Sequence, residues 1–167
     1  EFIGKKGILN RYTDENALMA KLLSNLCDTC GGRNGGYLFK YLNPVSKEVE
    51  FITPEQVGAF FQDKYRAYIT PKMFRTWYGN YHLLEALQQM LQRGELKQRL
   101  RPMEKNDVIR QCSEFVSSKL NNTPTVSKQS YIDDKILDLV MRNPYRIANM
   151  IPSTDEGRHR FLYKILT

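Results

Sequence analysis

Three prolines stand where helical periodicity begins, and they constrain this chain more than any other feature. Thr53-Pro54-Glu55-Gln56 places a hydroxyl, a proline and a glutamine at the N-cap, N1 and N3 positions of a helix. Thr70-Pro71-Lys72-Met73 repeats the device and opens a longer helix to about Gln92, with Gly94 as its stop. Pro102 opens another, to about Leu120. A proline at N1 gives up only an N–H that has no intrahelical partner, and its fixed φ suits the first turn. Helices so punctuated cannot slide along the chain. The expected fold is therefore mainly α.

Other segments fill in around these. Thr13 is a candidate N-cap for a helix carrying Leu18, Leu22 and Leu26, which stops at Cys27-Asp28-Thr29-Cys30-Gly31-Gly32. Asn121-Asn122-Thr123-Pro124 reads as a turn, with Ser127 capping a helix that holds Tyr131, Ile132, Ile136, Leu139 and Val140, and Asn143-Pro144 breaking it. Ser153-Thr154-Asp155-Glu156 opens a last helix with Phe161, Leu162 and Ile165 on its apolar face. Residues 147–167 carry no motif and read as packing structure. The β content is small. Phe2-Ile3, a glycine-containing turn and Ile8-Leu9 form a hairpin, and Tyr37-Leu38-Phe39 is a short strand.

Charge narrows the partner. Of 167 residues, 25 are Lys or Arg and 18 Asp or Glu, a net charge of +7 spread along the chain. With 41% hydrophobic residues the chain can bury a core, so this is a folded basic domain, and a polyanion such as nucleic acid is the natural partner. No window nears the roughly 18 apolar residues of a membrane span, and no charged leader precedes an apolar core. Three cysteines, an odd number, argue for a reducing compartment rather than a disulfide framework.

Several chemistries fit poorly. Cys27-x-x-Cys30 has the spacing of half a zinc site, but Cys112, His82 and His159 are scattered, so ordinary helix-end cysteines are the better account and no metal is expected. The glycine-rich run 31–36 lacks the Gly-Lys-Ser/Thr ending of a phosphate loop and reads as a flexible connection. Neither histidine lies near a nucleophile turn.

Three segments together are more specific: Phe2-Ile3-Gly4-Lys5, then Lys72-Met73-Phe74-Arg75-Thr76-Trp77, then Asn122-Thr123-Pro124-Thr125-Val126-Ser127-Lys128-Gln129-Ser130-Tyr131-Ile132. In order and approximate spacing they resemble the type IB DNA topoisomerases, in particular the small poxvirus-like and bacterial branch. The resemblance runs over nearly the whole chain and is strongest from Asn122 to Ile132. It implies the catalytic-domain fold shared with tyrosine recombinases, over residues 1–167 as one domain, and relaxation of supercoiled double-stranded DNA through a 3′-phosphotyrosyl intermediate without ATP or any other cofactor.

By position in the motifs, Tyr131 matches the nucleophile, Arg75 one of two phosphate-binding arginines, Lys5 the general acid and Lys72 an assisting lysine. Lys128 and Lys6 are expected DNA contacts. Asn122, nine residues before Tyr131, stands where poxvirus enzymes carry histidine and bacterial relatives asparagine. An amide N–H still donates to a phosphate oxygen, but supplies no charge. The family's first arginine precedes the hairpin, so the abrupt start reads as a C-terminal fragment lacking that helix and the N-terminal clamp domain, impaired alone. The full-length protein is expected to be a monomer closing around DNA as a C-shaped clamp, DNA-associated inside a bacterium, a viral factory or virion, or a nucleus. Two alternatives stand beside this reading. A tyrosine recombinase is disfavoured because Lys72 replaces the usual histidine of His-x-x-Arg and the interval from Arg75 to Tyr131 is long. The other is a DNA-binding relative without catalysis.

Overall fold

A computed structural model describes residues 2–3, 9–11, 13, 15–29 and 38–167. Lys5, Lys6, Cys30 and the glycine-rich run lie outside the described residues. The described residues form eight helices and two small antiparallel pairs of strands, the mainly α architecture expected. The chain divides into two compact units, Glu1–Thr70 and Pro71–Thr167. No helix among the described residues is long and apolar enough to cross a membrane.

The first unit begins with β1 (Phe2–Ile3) paired to β2 (Leu9–Asn10), with Phe2 opposite Asn10 and Ile3 opposite Leu9. The two strands of the expected hairpin pair, and its turn lies outside the described residues. Helix α1 (Ala17–Thr29) starts three residues later than Thr13 implied, because the Asn16 side chain accepts the Met19 N–H at 3.0 Å. Strand β3 (Lys40–Leu42) lies just beyond the anticipated Tyr37-Leu38-Phe39 and pairs with β4 (Val49–Phe51), for which the sequence carries no comparable signal. The Asn43 carboxamide holds the turn between them by accepting from the Val45 and Ser46 N–H groups. Helix α2 (Pro54–Tyr65) opens on the predicted capping box: Thr53 Oγ1 accepts from Gln56 N, and Gln56 Oε1 accepts from Thr53 N at 2.8 Å.

The second unit is a helical cluster built on α3 (Pro71–Gln92) and α4 (Pro102–Leu120), whose limits match those expected. Gly94 ends α3 at φ +72°, a conformation in which a Cβ would be strained. Thr123 caps α5 (Pro124–Tyr131), so Pro124 opens a helix rather than closing a turn, and Ser127 is buried inside it rather than capping. The single helix expected from Ser127 onward is two. Ile132 is extended, and Asp133 caps α6 (Asp134–Arg142) by accepting from Lys135 N at 2.8 Å. Pro144 likewise opens a helix, α7 (Pro144–Met150), capped by Asn143. Helix α8 (Asp155–Leu166) is the predicted last helix, capped by Thr154. Five of the seven prolines therefore begin helices.

Leu83, Leu84 and Leu87 of α3 meet Cys112 and Val116 of α4, Ile136 and Val140 of α6 and Leu162 of α8 in one buried core. Full burial of a leucine side chain is worth about 1.5–3 kcal/mol, so this face of α3 holds the unit together. Burial pushes the Cys112 thiol up to about 12, which leaves it a small apolar group at neutral pH.

Candidate active site

The site is organised by the start of α3. Residues 71–75 are all exposed, so the first turn presents Lys72 and Arg75, at i and i+3, on its solvent side. Arg75 bridges two other elements. Its Nη2 donates to the carbonyl of Leu120, the last residue of α4, at 2.5 Å. Its Cζ lies 5.1 Å from the centroid of the Tyr131 ring, the last residue of α5. A cation belongs at a helix C-terminus, where unpaired carbonyls concentrate negative potential, and on the face of a phenol ring. With one N–H committed to Leu120, a guanidinium has further donors for an anion.

Tyr131 is half-buried and its position is set by the third turn of α3. A Cβ on Gly79 would lie 2.5 Å from the Tyr131 carbonyl oxygen and 3.0 Å from the Tyr131 Cβ. Only glycine permits this approach. The next residue, Asn80, is fully buried; its Oδ1 accepts from Asp133 N and its Nδ2 donates to Thr76 O, both at 2.8 Å. Asn80 thereby satisfies the backbone where α5 stops and α6 begins, which is why the chain breaks after Tyr131. Neither residue belonged to the sequence-based site. An isolated glycine inside a helical pattern was the one available signal, since it usually has a packing reason.

Asn122 occupies the turn after α4. Its N–H donates to Ser117 O at 3.0 Å beside Asn121, which takes the left-handed conformation at φ 53°. Its Nδ2 is enclosed and finds no partner among the described residues, as is true of the Ser127 hydroxyl. Lys72 is exposed, with its carbonyl accepting from Thr76 Oγ1. Lys128 is exposed on α5 and lines a cleft of about 460 Å³ with Asn106 and Arg110 of α4. The structure thus brings Arg75 onto Tyr131 and places Asn122 two residues beyond the carbonyl that Arg75 holds.

On another side of α3, Trp77 Nε1 donates to His159 Nδ1 of α8 at 2.9 Å, and Tyr81 stacks on the same imidazole with centroids 4.6 Å apart. The Tyr81 hydroxyl donates to Asp155 and accepts from Arg158. Burial, then the bond to Asp155, raises the Tyr81 phenol above its ordinary range and keeps it a donor.

The family model described as eukaryotic DNA topoisomerase I, catalytic core, matches residues 1–147. No curated protein matches the sequence. The matching description is the eukaryotic one, and it lends no support to the poxvirus-like and bacterial branch. With all but the last 20 residues inside that match, this chain belongs to the family of the eukaryotic DNA topoisomerase I catalytic core, and is a type IB topoisomerase whose substrate class is DNA.

Proposed function

We propose that residues 1–167 act as one catalytic domain that relaxes supercoiled double-stranded DNA by cutting and resealing one strand, with Tyr131 as the nucleophile. The Tyr131 oxygen attacks a backbone phosphorus, a phosphorus–tyrosine bond forms at the 3′ side, and the bond to the 5′-oxygen breaks. The phenol loses its proton to solvent water as it attacks. Lys5 delivers a proton to the departing 5′-oxygen, which leaves as a hydroxyl. After the free end swivels, that hydroxyl attacks the phosphotyrosine and reverses each step. The covalent link conserves the energy of the phosphodiester, so no ATP is consumed.

The observation that carries this reading is the Arg75 guanidinium on the Tyr131 ring. Charge builds on the non-bridging oxygens in the transition state, and a forked, permanently charged donor beside the nucleophile meets it. Losing a donor of this kind costs on the order of 10²–10³ in rate. Asn122 supplies a neutral amide donor, consistent with an Nδ2 that has no acceptor among the described residues. Lys72 adds positive charge one turn before Arg75, and Lys128 and Lys6 hold phosphates along the duplex. Within the family, the three motifs together resemble the poxvirus-like and bacterial branch, and Asn122, which departs from the histidine of poxvirus enzymes, resembles the bacterial members.

The test uses the full-length protein and a suicide duplex that traps the covalent complex. Tyr131→Phe is expected to abolish capture while DNA binding stays within about twofold of wild type, because only one hydroxyl is removed. Capture at the wild-type rate would eliminate Tyr131 as the nucleophile.

A further inference from the structure

The turn that bears Arg75 is held by α8, which lies beyond the stretch matched by the family. Residues 71–75 are exposed, and Thr76 and Trp77 are the first on α3 to be even half-buried. Ahead of the buried Gly79 and Asn80, Trp77 thus ties the helix start to α8, alongside the bond of Arg75 itself to Leu120. Its indole N–H is satisfied by His159 Nδ1 at 2.9 Å, with the two rings stacked at 5.9 Å. An indole nitrogen can only donate, so Nδ1 must carry a lone pair and the imidazole proton sits on Nε2. That nitrogen faces the Asp155 carboxylate at 3.9 Å.

We infer that His159 is a positioning residue for Arg75: its unprotonated Nδ1 holds Trp77 and so fixes the helix start that keeps the guanidinium over Tyr131. The inference rests on the catalytic reading of Arg75 and Tyr131 given above. Protonation of Nδ1 removes the acceptor and confronts the indole N–H with a second N–H. The groups facing the ring are Trp77, Tyr78 and Tyr81 from α3 and Asp155 from α8, with Arg158 set over the Tyr81 ring. Further along α3, His82 is engaged with Glu85 at 2.9 Å. An imidazole is the side chain whose charge ordinarily changes between about pH 5 and pH 8. DNA cleavage should therefore weaken on acidification through a contact remote from the phosphate.

Asparagine at 159 places an amide oxygen where Nδ1 lies, and that oxygen accepts from Trp77 without titrating. The experiment measures the rate of covalent capture by the full-length protein from about pH 5 to pH 8, with DNA binding followed in parallel. Wild type should lose roughly two- to tenfold in rate at the acid end, the scale of one hydrogen bond. His159→Asn should lose that acid limb and keep the neutral-pH rate. Trp77→Phe keeps an aromatic ring but no N–H, and should run at the low rate across the whole range. The inference fails if wild type has no acid limb, or if His159→Asn retains it, or if Trp77→Phe behaves as wild type. Tyr131→Phe, run alongside, separates the two ideas. Its failure to capture with an unaltered His159→Asn profile sinks only the role of His159, whereas capture by Tyr131→Phe sinks the catalytic reading beneath it.

Discussion

The two units hold their shapes by different means. Every buried apolar side chain among the described residues lies in Pro71–Thr167, where Leu83, Leu84 and Leu87 are fully enclosed. In Glu1–Thr70 only Lys40 is buried among the described residues, and Phe51 and Phe60 are 56% and 58% exposed. Local devices define that first unit: the Thr53 capping box, the Asn43 turn and the ring of donors around Glu50. The second unit is defined by side chains far apart in sequence. The difference bears on the proposed site, whose Tyr131 and Arg75 both lie on the second. A nucleophile must be held to within a fraction of an ångström, and packed helices hold position better than hairpins.

Leu84→Ala should break the contrast most. It leaves a cavity at the centre of the second unit and should lower stability by about 2–5 kcal/mol, read from denaturant unfolding of that unit. If the loss is well under this, the core argued from burial is not what holds α3.

Asn80→Ala comes next. It strips the Asp133 N–H of its acceptor in a buried setting, at about 1–3 kcal/mol. Because that bond fixes the break after Tyr131, covalent capture should fall further than stability alone explains. Capture in proportion to the folded fraction would reduce Asn80 to a packing residue.

The smallest effect is expected in the first unit. Glu50 accepts from Tyr41 Oη at 2.7 Å and Asn43 Nδ2 at 2.6 Å, and these bonds, that of Tyr41 first, lower its pKa below the ordinary 4.5. A carboxylate with a lowered folded-state pKa stabilises the fold above its unfolded value, and that support is lost as pH falls through the folded one. The amides of β3 and β4 should therefore exchange faster below the ordinary glutamate range, and Glu50→Gln should show the faster exchange already at neutral pH. The second unit should not respond to that substitution. A global response would mean that the units are not independent in the way their burial suggests.

Much of the fold was legible in advance because the signals were short. Thr53 and Gln56 are three residues apart, and their box set the start of α2; the limits of α3 and α4 followed from proline and glycine at their ends. Signals of the same kind failed where they were ambiguous. Thr123-Pro124 and Asn143-Pro144 suit a turn as well as a helix start, and Ser127 was as good a cap on paper as Thr123.

The residue types of the site were also in the sequence, as a tyrosine, an arginine and an asparagine in motifs resembling a known family. Their aim was not. That Arg75 lies on the Tyr131 ring depends on the Leu120 carbonyl, on the room left by Gly79 and on the bond from Asn80 to Asp133. Capping and turn chemistry act within about four residues, so the chain carries them in its order alone. Contacts between α3 and residues 40 or more positions away exist only once the core has closed, and it was the closed core that decided where the phenol points.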